Sequence, residues 1–301
     1  MIEVLFLGTG AGTPSRQSGL PSAAVRKGGE IYLLDCGEGT QRQLMVSPFS
    51  YMKIKAVLIS HLHGDHFLGL PGLLLTMGIS ERKDPIAVIG PAGTERLLIP
   101  ILEACGDELP FELNVIEADD GHISDIGKMT VSVFKTDHTV PSLGFVLSEK
   151  DRYKADPSKI SGSDVRPGDV DRILKGETIK GVTAEDLSAG IVKGLKIAYS
   201  GDTKPCESLK KAVKDVDLLI HEATFDSELK GPAEEHGHTT AEQAAEIARE
   251  CNVRHLCLTH VSNRYRNRSV LKEEASAIFP DTCVAEDMMR LSVTRKEIKL
   301  I

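Results

Sequence analysis

Apolar segments that end in polar residues recur along this chain, and they constrain its fold more than any other feature. Segment 55–60 carries an uninterrupted apolar stretch, which predicts a buried strand, and it leads directly into His61-Leu62-His63-Gly64-Asp65-His66. Four later apolar segments, near 131–135, 195–199, 218–220 and 256–258, lead in turn to His138, Asp202, Glu222 and His260. Strands that end in functional residues are typical of a layered α/β fold.

Other segments complete this α/β pattern. Strands are predicted near 2–7, 22–27, 30–35 and 86–89, and a helix is predicted from Pro71 to about Ser80. Thr239-Thr240 followed by strong helix formers predicts a helix that begins just behind His238. Residues 148–194 differ, because short apolar patches alternate there with Lys, Asp, Gly, Ser and Pro, which indicates an insertion projecting from the core.

The segment His61–His66 is a candidate metal site. It offers three imidazoles and a carboxylate within six residues, the ligand types that zinc takes at catalytic sites with one position left open. A polar loop with incidental histidines is the alternative, and the density of donors argues against it. Asp35 also follows an apolar segment. It is either a turn carboxylate that caps Gly-rich backbone or an acid that orients a ligand histidine.

Composition narrows the functional classes. A chain of 301 residues can form one large α/β domain or two small ones, and no apolar stretch reaches the roughly 18–20 residues of a membrane span. The six cysteines (36, 105, 206, 251, 257 and 283) are scattered without a Cys-x-x-Cys pair, which predicts reduced thiols and a cytoplasmic location. The net charge of −8 argues against a nucleic-acid partner unless cations cluster locally.

The motifs together resemble the metallo-β-lactamase superfamily and, within it, the short form of the ribonuclease Z family of tRNA 3′-processing endonucleases. The resemblance runs nearly end to end. The segments that carry it are 7–10 (LGTG), 35–41 (DCGEGTQ), 61–66 (HLHGDH), His138 ahead of Gly144-Phe145, 200–203 (SGDT), 221–224 (HEAT), 237–240 (GHTT) and Thr259-His260.

This resemblance implies a four-layer αβ/βα sandwich formed by one domain over 1–301, with the insertion 148–194 as a flexible tRNA-binding arm. It implies two zinc ions, with manganese, iron or cobalt as other possible metals. One ion would be held by His61, His63 and His138. The other would be held by Asp65, His66 and His260, with Asp202 bridging the two.

The implied reaction is removal of the 3′ trailer from precursor tRNA. A water activated between the metals would attack phosphorus, leaving a 3′-hydroxyl on the tRNA and a 5′-phosphate on the trailer. Asp65 would accept a proton, and His238 with Glu222 would donate one to the departing ribose oxygen. A homodimer is also implied, in which the arm of one subunit holds tRNA for the site of the other.

Cations near the predicted site are candidate RNA contacts. Arg264, Arg266 and Arg268 surround a tyrosine just after His260, and this pattern favours phosphate binding over the alternative of a solvated helix start. Arg16 lies in segment 14–19, where the family often carries Pro-x-Lys-x-Arg-Asn; the Arg-Asn pair is missing here. The family's Gly-Pro of the arm is replaced by Gly168-Asp169. The arm region 148–196 has ten Lys or Arg against nine Asp or Glu, a net charge of only +1.

Two other functional classes remain open from the sequence. One is a phosphodiesterase for small substrates, or another hydrolase on the same fold, which would have no use for the arm or the arginine cluster. The other is a non-catalytic RNA-binding subunit, which is disfavoured because the chain keeps all seven ligand positions.

Overall fold

The structure of the protein is a computed structural model that describes residues 1–106 and 108–301. The strands of this described part are, in chain order, β1 (Ile2–Gly8), β2 (Ser22–Lys27), β3 (Glu30–Leu34), β4 (Ile54–Leu58), β5 (Ile86–Gly90), β6 (Leu113–Glu117), β7 (Ile123–Ile126), β8 (Met129–Lys135), β9 (Leu143–Glu149), β10 (Arg152–Ala155), β11 (Ser188–Val192), β12 (Lys196–Tyr199), β13 (Leu218–Glu222), β14 (Leu256–Thr259), β15 (Thr282–Val284), β16 (Arg290–Val293) and β17 (Ile298–Leu300).

The helices are α1 (Thr40–Val46), α2 (Gly64–Phe67), α3 (Gly69–Ile79), α4 (Thr94–Ala104), α5 (Pro157–Ser161), α6 (Pro167–Leu174), α7 (Ala184–Leu187), α8 (Glu207–Ala212), α9 (Lys230–His236), α10 (Ala241–Glu250) and α11 (Ser269–Ile278), with 3₁₀ turns at Tyr51–Lys53 and Ser227–Leu229. None of these helices combines the length and apolar character needed to cross a lipid bilayer.

Two mixed sheets form the centre of the fold. The first has the strand order β17-β16-β1-β2-β3-β4-β5-β6, and the second has the order β15-β14-β13-β12-β9-β8-β7. Strands β3 to β6 are parallel to one another, and so are β12 to β15. The carboxyl ends of parallel neighbours meet at one edge of their sheet, so residues that follow these strands are brought together.

Three apolar clusters hold the layers together. One cluster fills the space between the two sheets and includes Phe6 and Phe145. A second joins the first sheet to α1, α3 and α4 around Phe67, and a third joins the second sheet to α8, α10 and α11 around Leu271. Each sheet therefore has one face on the other sheet and one on helices. The predicted four-layer sandwich is confirmed.

The predicted elements agree with the structure except at their ends. Strands predicted near 2–7, 22–27, 30–35, 55–60 and 86–89 correspond to β1 to β5, and the helix behind His238 is α10, capped by Thr240. The helix predicted from Pro71 is α3, which begins two residues earlier at Gly69. Pro71 is accommodated because N–H groups of the first helical turn have no acceptor within the helix.

The insertion lies between β9 and β12 and forms a small unit of its own. Strands β10 and β11 pair antiparallel in a separate two-stranded sheet, and α5, α6 and α7 lie between them in sequence. Its buried apolar side chains are few and include Ile173, Ala184 and Leu187. At its base the Glu149 N–H donates to the Leu195 carbonyl (2.9 Å), so the chain leaves and re-enters the sandwich at nearly the same place.

Candidate metal centre and active site

The predicted site residues lie together at one rim of the sandwich. His61 follows β4 of the first sheet, Asp202 follows β12, Glu222 ends β13 and His260 follows β14. Since β12, β13 and β14 are parallel neighbours in the second sheet, their last residues converge. The two sheets thus deliver side chains to a single cleft from opposite sides.

One group of potential ligands consists of His61, His63 and His138, whose ligand atoms lie within 4.8 Å of one another. The Nε2 of His61 is 3.0 Å from the Nδ1 of His63, and the Nε2 of His138 is 3.4 Å from the same atom. His61 is fully buried, and burial holds the pKa of its imidazole well below the usual range, which favours the neutral form that binds metals.

A second group consists of Asp65, His66 and His260. The Nε2 atoms of the two histidines are 3.3 Å apart, and each lies 3.6 Å from Asp65 Oδ2. The backbone N–H of Gly12 also donates to Asp65 Oδ2 (2.9 Å), which ties the loop after β1 to this group.

Asp202 lies between the two groups. Its Oδ2 is 3.3 Å from the Nε2 atoms of both His66 and His260 and 3.8 Å from that of His61. Burial alone would raise the pKa of Asp202, but the charges of His260 and His66 hold it well below the usual range. Its other oxygen, Oδ1, is buried without a hydrogen-bond partner. Such an orphaned carboxylate oxygen is costly unless a cation binds it.

Hydrogen bonds on the outer side of the cluster fix the orientation of four imidazoles. The Nδ1–H groups of His61, His66 and His138 donate to Ser60 Oγ (3.0 Å), Asp35 Oδ2 (2.7 Å) and the Gly237 carbonyl (2.8 Å). His260 donates in the same way to Thr224 Oγ1 (2.9 Å). In their neutral forms all four rings therefore direct an unprotonated Nε2 toward the centre of the cleft.

Four inward lone pairs and an orphaned carboxylate oxygen fit metal cations. Burial lowers the pKa of His66, but Asp202 and Asp35 raise it well above the usual value, so this position attracts positive charge strongly. A metal ion competes with protons for the same nitrogen. The clusters are therefore able to hold metal at this rim.

Asp35 orients the cluster from behind and does not merely cap a turn. It is fully buried and accepts four hydrogen bonds, from the Ser60 N–H (2.7 Å), Ser60 Oγ (2.8 Å), His66 Nδ1 (2.7 Å) and the Tyr199 hydroxyl (2.6 Å). Its backbone is left-handed, with φ of 53°. The acid predicted at the end of β3 thus positions a candidate ligand histidine.

Glu222 and His238 form a hydrogen-bonded pair beside the cluster. The Nδ1 of His238 is 2.9 Å from Glu222 Oε1, and it is 3.9 Å from Asp202 Oδ2. Burial lowers the pKa of His238, but the neighbouring Glu222 carboxylate outweighs it and raises the pKa to about 9. Glu222 is itself fixed by the Thr203 N–H (3.0 Å) and by the hydroxyl of Thr224 (2.7 Å). A protonated imidazole in this position can act as a proton donor.

Three of the four predicted RNA contacts lie on the surface near the cleft. Arg16 and Arg266 are exposed and line one cavity of about 600 Å³. Arg264 is also exposed, and its guanidinium lies over the ring of Phe225 at 5.0 Å from the centroid. That ring contacts His238 edge-on, with ring centroids 6.1 Å apart. These cations can therefore meet a polyanion that enters the cleft.

Arg268 differs from the other three predicted RNA contacts. Its guanidinium is partly buried and donates to Thr9 Oγ1 (2.8 Å), Ser18 Oγ (2.6 Å) and the Ala285 carbonyl. These internal acceptors engage both terminal nitrogens of the guanidinium. Arg268 instead joins the loop after β1 to the segment after β15.

Two residues that support the site were missed from the sequence. Thr224 links Glu222 and His260 through its hydroxyl, and Tyr199 donates to Asp35. Thr224 lies within the quoted segment 221–224, and Tyr199 is a phenol at the end of a buried strand. A buried polar side chain at a strand end was the signal available for both.

The chain is similar in sequence to known protein families and to individual proteins. Two family profiles match the chain: one described as anti-Pycsar protein Apyc1, over residues 2–165, and one described as a beta-lactamase superfamily domain, over residues 175–261. Ribonuclease Z of Methanothermobacter thermautotrophicus is 39% identical over 97% of this chain and 97% of that protein. Ribonuclease Z of Sulfurisphaera tokodaii is 40% identical over 99% of this chain and all of that protein.

Solved structures agree with these matches. The crystal structure of human tRNase Z, short form, is 32% identical and superposes with a TM-score of 0.73, covering 97% of this chain and 99% of the human one. The metallo-beta-lactamase fold protein YhfI of Bacillus subtilis is 19% identical with a TM-score of 0.71, over 96% of this chain and 98% of that one, and it shows the shared fold alone.

Proposed function

The chain belongs to the ribonuclease Z family of metallo-β-lactamase-fold hydrolases, and we propose on that basis that it is a metal-dependent endoribonuclease that removes the 3′ trailer from tRNA precursors. The observation that carries the proposal is the ligand arrangement. Two groups of inward-facing ligands share one buried carboxylate, Asp202, at the open rim of the sandwich.

Two zinc ions fit this arrangement, one held by His61, His63 and His138 and the other by Asp65, His66 and His260, with Asp202 shared. Imidazole and carboxylate are ligands that zinc accepts, although manganese, iron and cobalt take them as well. When bound, two such cations lower the pKa of a water and stabilise charge that develops on a phosphodiester. The product would carry a 3′-hydroxyl on the tRNA and a 5′-phosphate on the trailer.

The residues of the chain supply proton transfer and positioning. Asp65 faces the cleft with an oxygen near His66 and His260, where it can accept a proton from the attacking water. His238, held by Glu222, lies beside Asp202 and can donate a proton to the departing ribose oxygen. A proton acceptor and a proton donor within one cleft suit cleavage of a phosphodiester.

Precursor tRNA is the proposed partner. Arg16 and Arg266 line one exposed cavity, Arg264 lies over Phe225, and the N–H of Gly12 links the loop that carries Arg16 directly to Asp65. The domain comprises 1–301, with the insertion about 148–194 as the flexible tRNA-binding arm. Because the net charge of the arm is near zero, its contribution to RNA affinity is expected to depend on shape and on individual cations rather than on bulk charge.

We also propose that the protein works as a homodimer and that it is located in the cytoplasm. Met45 and Val46 at the end of α1 and Leu68 before α3 are more than half exposed, and α1 contacts α3 through Gln41 and Thr76. Exposed apolar side chains are candidates for an interface between copies. Light scattering of wild type against Val46→Lys tests it: a dimer that becomes a monomer is expected, and a monomeric wild type at micromolar concentration would contradict it.

Asp202→Ala tests the catalytic proposal. Cleavage of a 3′-extended pre-tRNA by metal-loaded protein is expected to be lost in this variant while its circular dichroism spectrum stays native. Asp84→Ala, at an exposed carboxylate far from the cluster, is the matched control and should cleave normally. Full activity of Asp202→Ala would refute the two-metal mechanism.

Deletion of the arm separates tRNA processing from hydrolysis of small substrates. Because Glu149 and Leu195 already pair at the base of the arm, a short turn can replace residues 150–193 without moving β9 or β12. This variant should still hydrolyse a chromogenic phosphodiester but should lose most activity on pre-tRNA. Equal loss of both activities would indicate that the arm is needed for folding rather than for binding tRNA. Full retention of pre-tRNA cleavage would contradict a tRNA-binding role of the arm. A wild type that turns over the phosphodiester but leaves pre-tRNA intact would favour a small-substrate phosphodiesterase, and wild-type protein without bound metal would favour a non-catalytic RNA-binding subunit.

A further inference from the structure

A second pair of reactive side chains lies outside the cleft, on neighbouring strands. Cys257 of β14 and Cys283 of β15 are register partners in a parallel ladder. Register partners of neighbouring parallel strands direct their side chains to the same face of the sheet, and the structure shows both as free cysteines. Cys257 is completely buried, whereas Cys283 is partly exposed. One sulfur is therefore accessible while its neighbour is held in the core behind it.

Cys283 lines a cavity of about 770 Å³ whose walls come from α11, β15, β16 and β17. The same cavity is lined by His255, by the cations Arg268, Lys272, Arg290 and Lys299, and by the acids Glu286 and Asp287. His255 and Lys272 act electrostatically on the Cys283 sulfur. The sulfur thus lies in an electropositive setting that is open to small molecules, which is where reactive cysteines are found.

The electrostatics agree with this geometry. The neighbouring Cys257 thiol and His255 outweigh burial and lower the pKa of Cys283 to about 6. Burial raises the pKa of Cys257 well above the usual value, and the neighbouring Cys283 adds to that effect. The pKa values of the two sulfurs are therefore shifted in opposite directions, which favours the thiolate at Cys283 and the thiol at Cys257.

We propose that Cys257 and Cys283 form an oxidation site in which Cys283 reacts with a hydroperoxide and Cys257 resolves the product to a disulfide. The Cys283 thiolate attacks the terminal oxygen of the hydroperoxide, the O–O bond breaks, a sulfenic acid forms, and the departing alkoxide takes a proton from solvent and leaves as the alcohol. The Cys257 sulfur then attacks the sulfenic sulfur, an S–S bond forms and water leaves. Two thiols lose two electrons in total, and the hydroperoxide accepts them.

Strand geometry permits this bond. Neighbouring strands of a sheet lie about 4.8 Å apart, which is inside the roughly 4.4–6.8 Å that Cα atoms of a disulfide span. Within the part of the chain that the structure describes, groups of three or more potential ligands within 4.8 Å occur only around the cleft. The cysteine pair with His255 is not among these groups.

The site lies close to the candidate active centre along the chain. Cys257 precedes His260 by three residues on β14, and His260 is itself held in a left-handed backbone conformation with φ of 54°. A covalent link between β14 and β15 would constrain the strand that positions this histidine.

Peptide mapping of oxidised wild-type protein tests the proposal directly. The full chain is treated with tert-butyl hydroperoxide, free thiols are blocked with iodoacetamide after unfolding, and mass spectrometry locates each cysteine. A Cys257–Cys283 disulfide that dithiothreitol reverses is expected. Cys105→Ser, which removes an exposed cysteine far from the pair, should form the same disulfide. Both cysteines remaining free while Cys105 is oxidised would overturn the proposal.

Two variants and a pH profile separate the roles of the two sulfurs. Cys257→Ser should accumulate a sulfenic acid at Cys283 that dimedone traps, and Cys283→Ser should yield neither product. In native wild type, iodoacetamide labelling of Cys283 should level off above about pH 7, whereas a thiol of ordinary pKa, about 8.5, continues to gain reactivity there. Labelling of Cys283 that rises steadily through pH 8.5 would refute the thiolate assignment without involving any variant.

Discussion

Replacing Asp35 with asparagine isolates the contribution of a buried carboxylate that holds a candidate ligand in place. The side chain keeps its size, and asparagine tolerates the left-handed backbone found here. The amide, however, presents an NH₂ group where the carboxylate had an acceptor. In the wild type, one oxygen of Asp35 accepts from the Ser60 N–H, and the other accepts from Ser60 Oγ, His66 and Tyr199. In either orientation the amide N–H groups meet a donor.

The size of the effect follows from this mismatch. Leaving a buried donor unsatisfied costs about 1–3 kcal/mol of stability. Loss of an outer partner of a metal-bound histidine typically weakens metal affinity or activity by about 10- to 100-fold, equivalent to roughly 1.4–2.7 kcal/mol. We therefore expect Asp35→Asn to bind zinc about 10- to 100-fold more weakly and to unfold at a lower temperature than wild type.

Competition against a chelator of known affinity measures the zinc affinity, and thermal unfolding of the apo and loaded proteins measures stability. Tyr199→Phe removes only one of the four donors to Asp35, so its effect should be smaller. Asp84→Asn, at an exposed acid paired with Lys55 at 3.4 Å, should match wild type. Zinc affinity of Asp35→Asn within twofold of wild type would refute the argument that this carboxylate orients His66.

Three further predictions rest on single contacts. Gly237→Ala should lower the metal content and the melting temperature, because the added Cβ would lie 2.8 Å from His138 Nδ1. Gly121→Ala is the control, since Gly121 has a similarly positive φ but open space around the added Cβ. Calorimetry and metal analysis of both variants separate the effect of the clash from that of backbone strain. His238→Ala should slow single-turnover cleavage by about 10²–10⁴-fold, while the metal content measured by mass spectrometry stays unchanged. A larger change in metal content than in cleavage rate would contradict the proton-donor role. Arg268→Ala should lower the melting temperature, because its internal hydrogen bonds are lost. Its affinity for pre-tRNA in filter binding should stay nearly unchanged. An unchanged melting temperature with weaker pre-tRNA binding would instead support Arg268 as an RNA contact.

Most of the fold and the candidate metal ligands could be predicted from the local sequence, because both follow from the same pattern. An apolar strand followed by a polar residue predicts a sheet and also the rim at which that residue lies, as for β4 with His61 and β14 with His260. The Thr240 cap predicted the start of α10 in the same way.

Other features depend on contacts between distant parts of the chain and could not be predicted locally. The orientation of His138 is set by the Gly237 carbonyl, 99 residues away. An arginine cluster looks the same in sequence whether its members face solvent or the interior, and only the acceptors at Thr9 and Ser18 distinguish Arg268 from Arg266. The pairing of Cys257 with Cys283 likewise arises from strand order, which scattered cysteines do not reveal.

The most direct test of the proposed function is cleavage of a 3′-extended pre-tRNA by metal-loaded protein, with Asp65→Ala alongside and both new ends mapped. A single cut just after the discriminator base, giving a 3′-hydroxyl and a 5′-phosphate and lost in the variant, is the predicted result. An intact pre-tRNA, despite stoichiometric metal and turnover of a simple phosphodiester, would contradict the account.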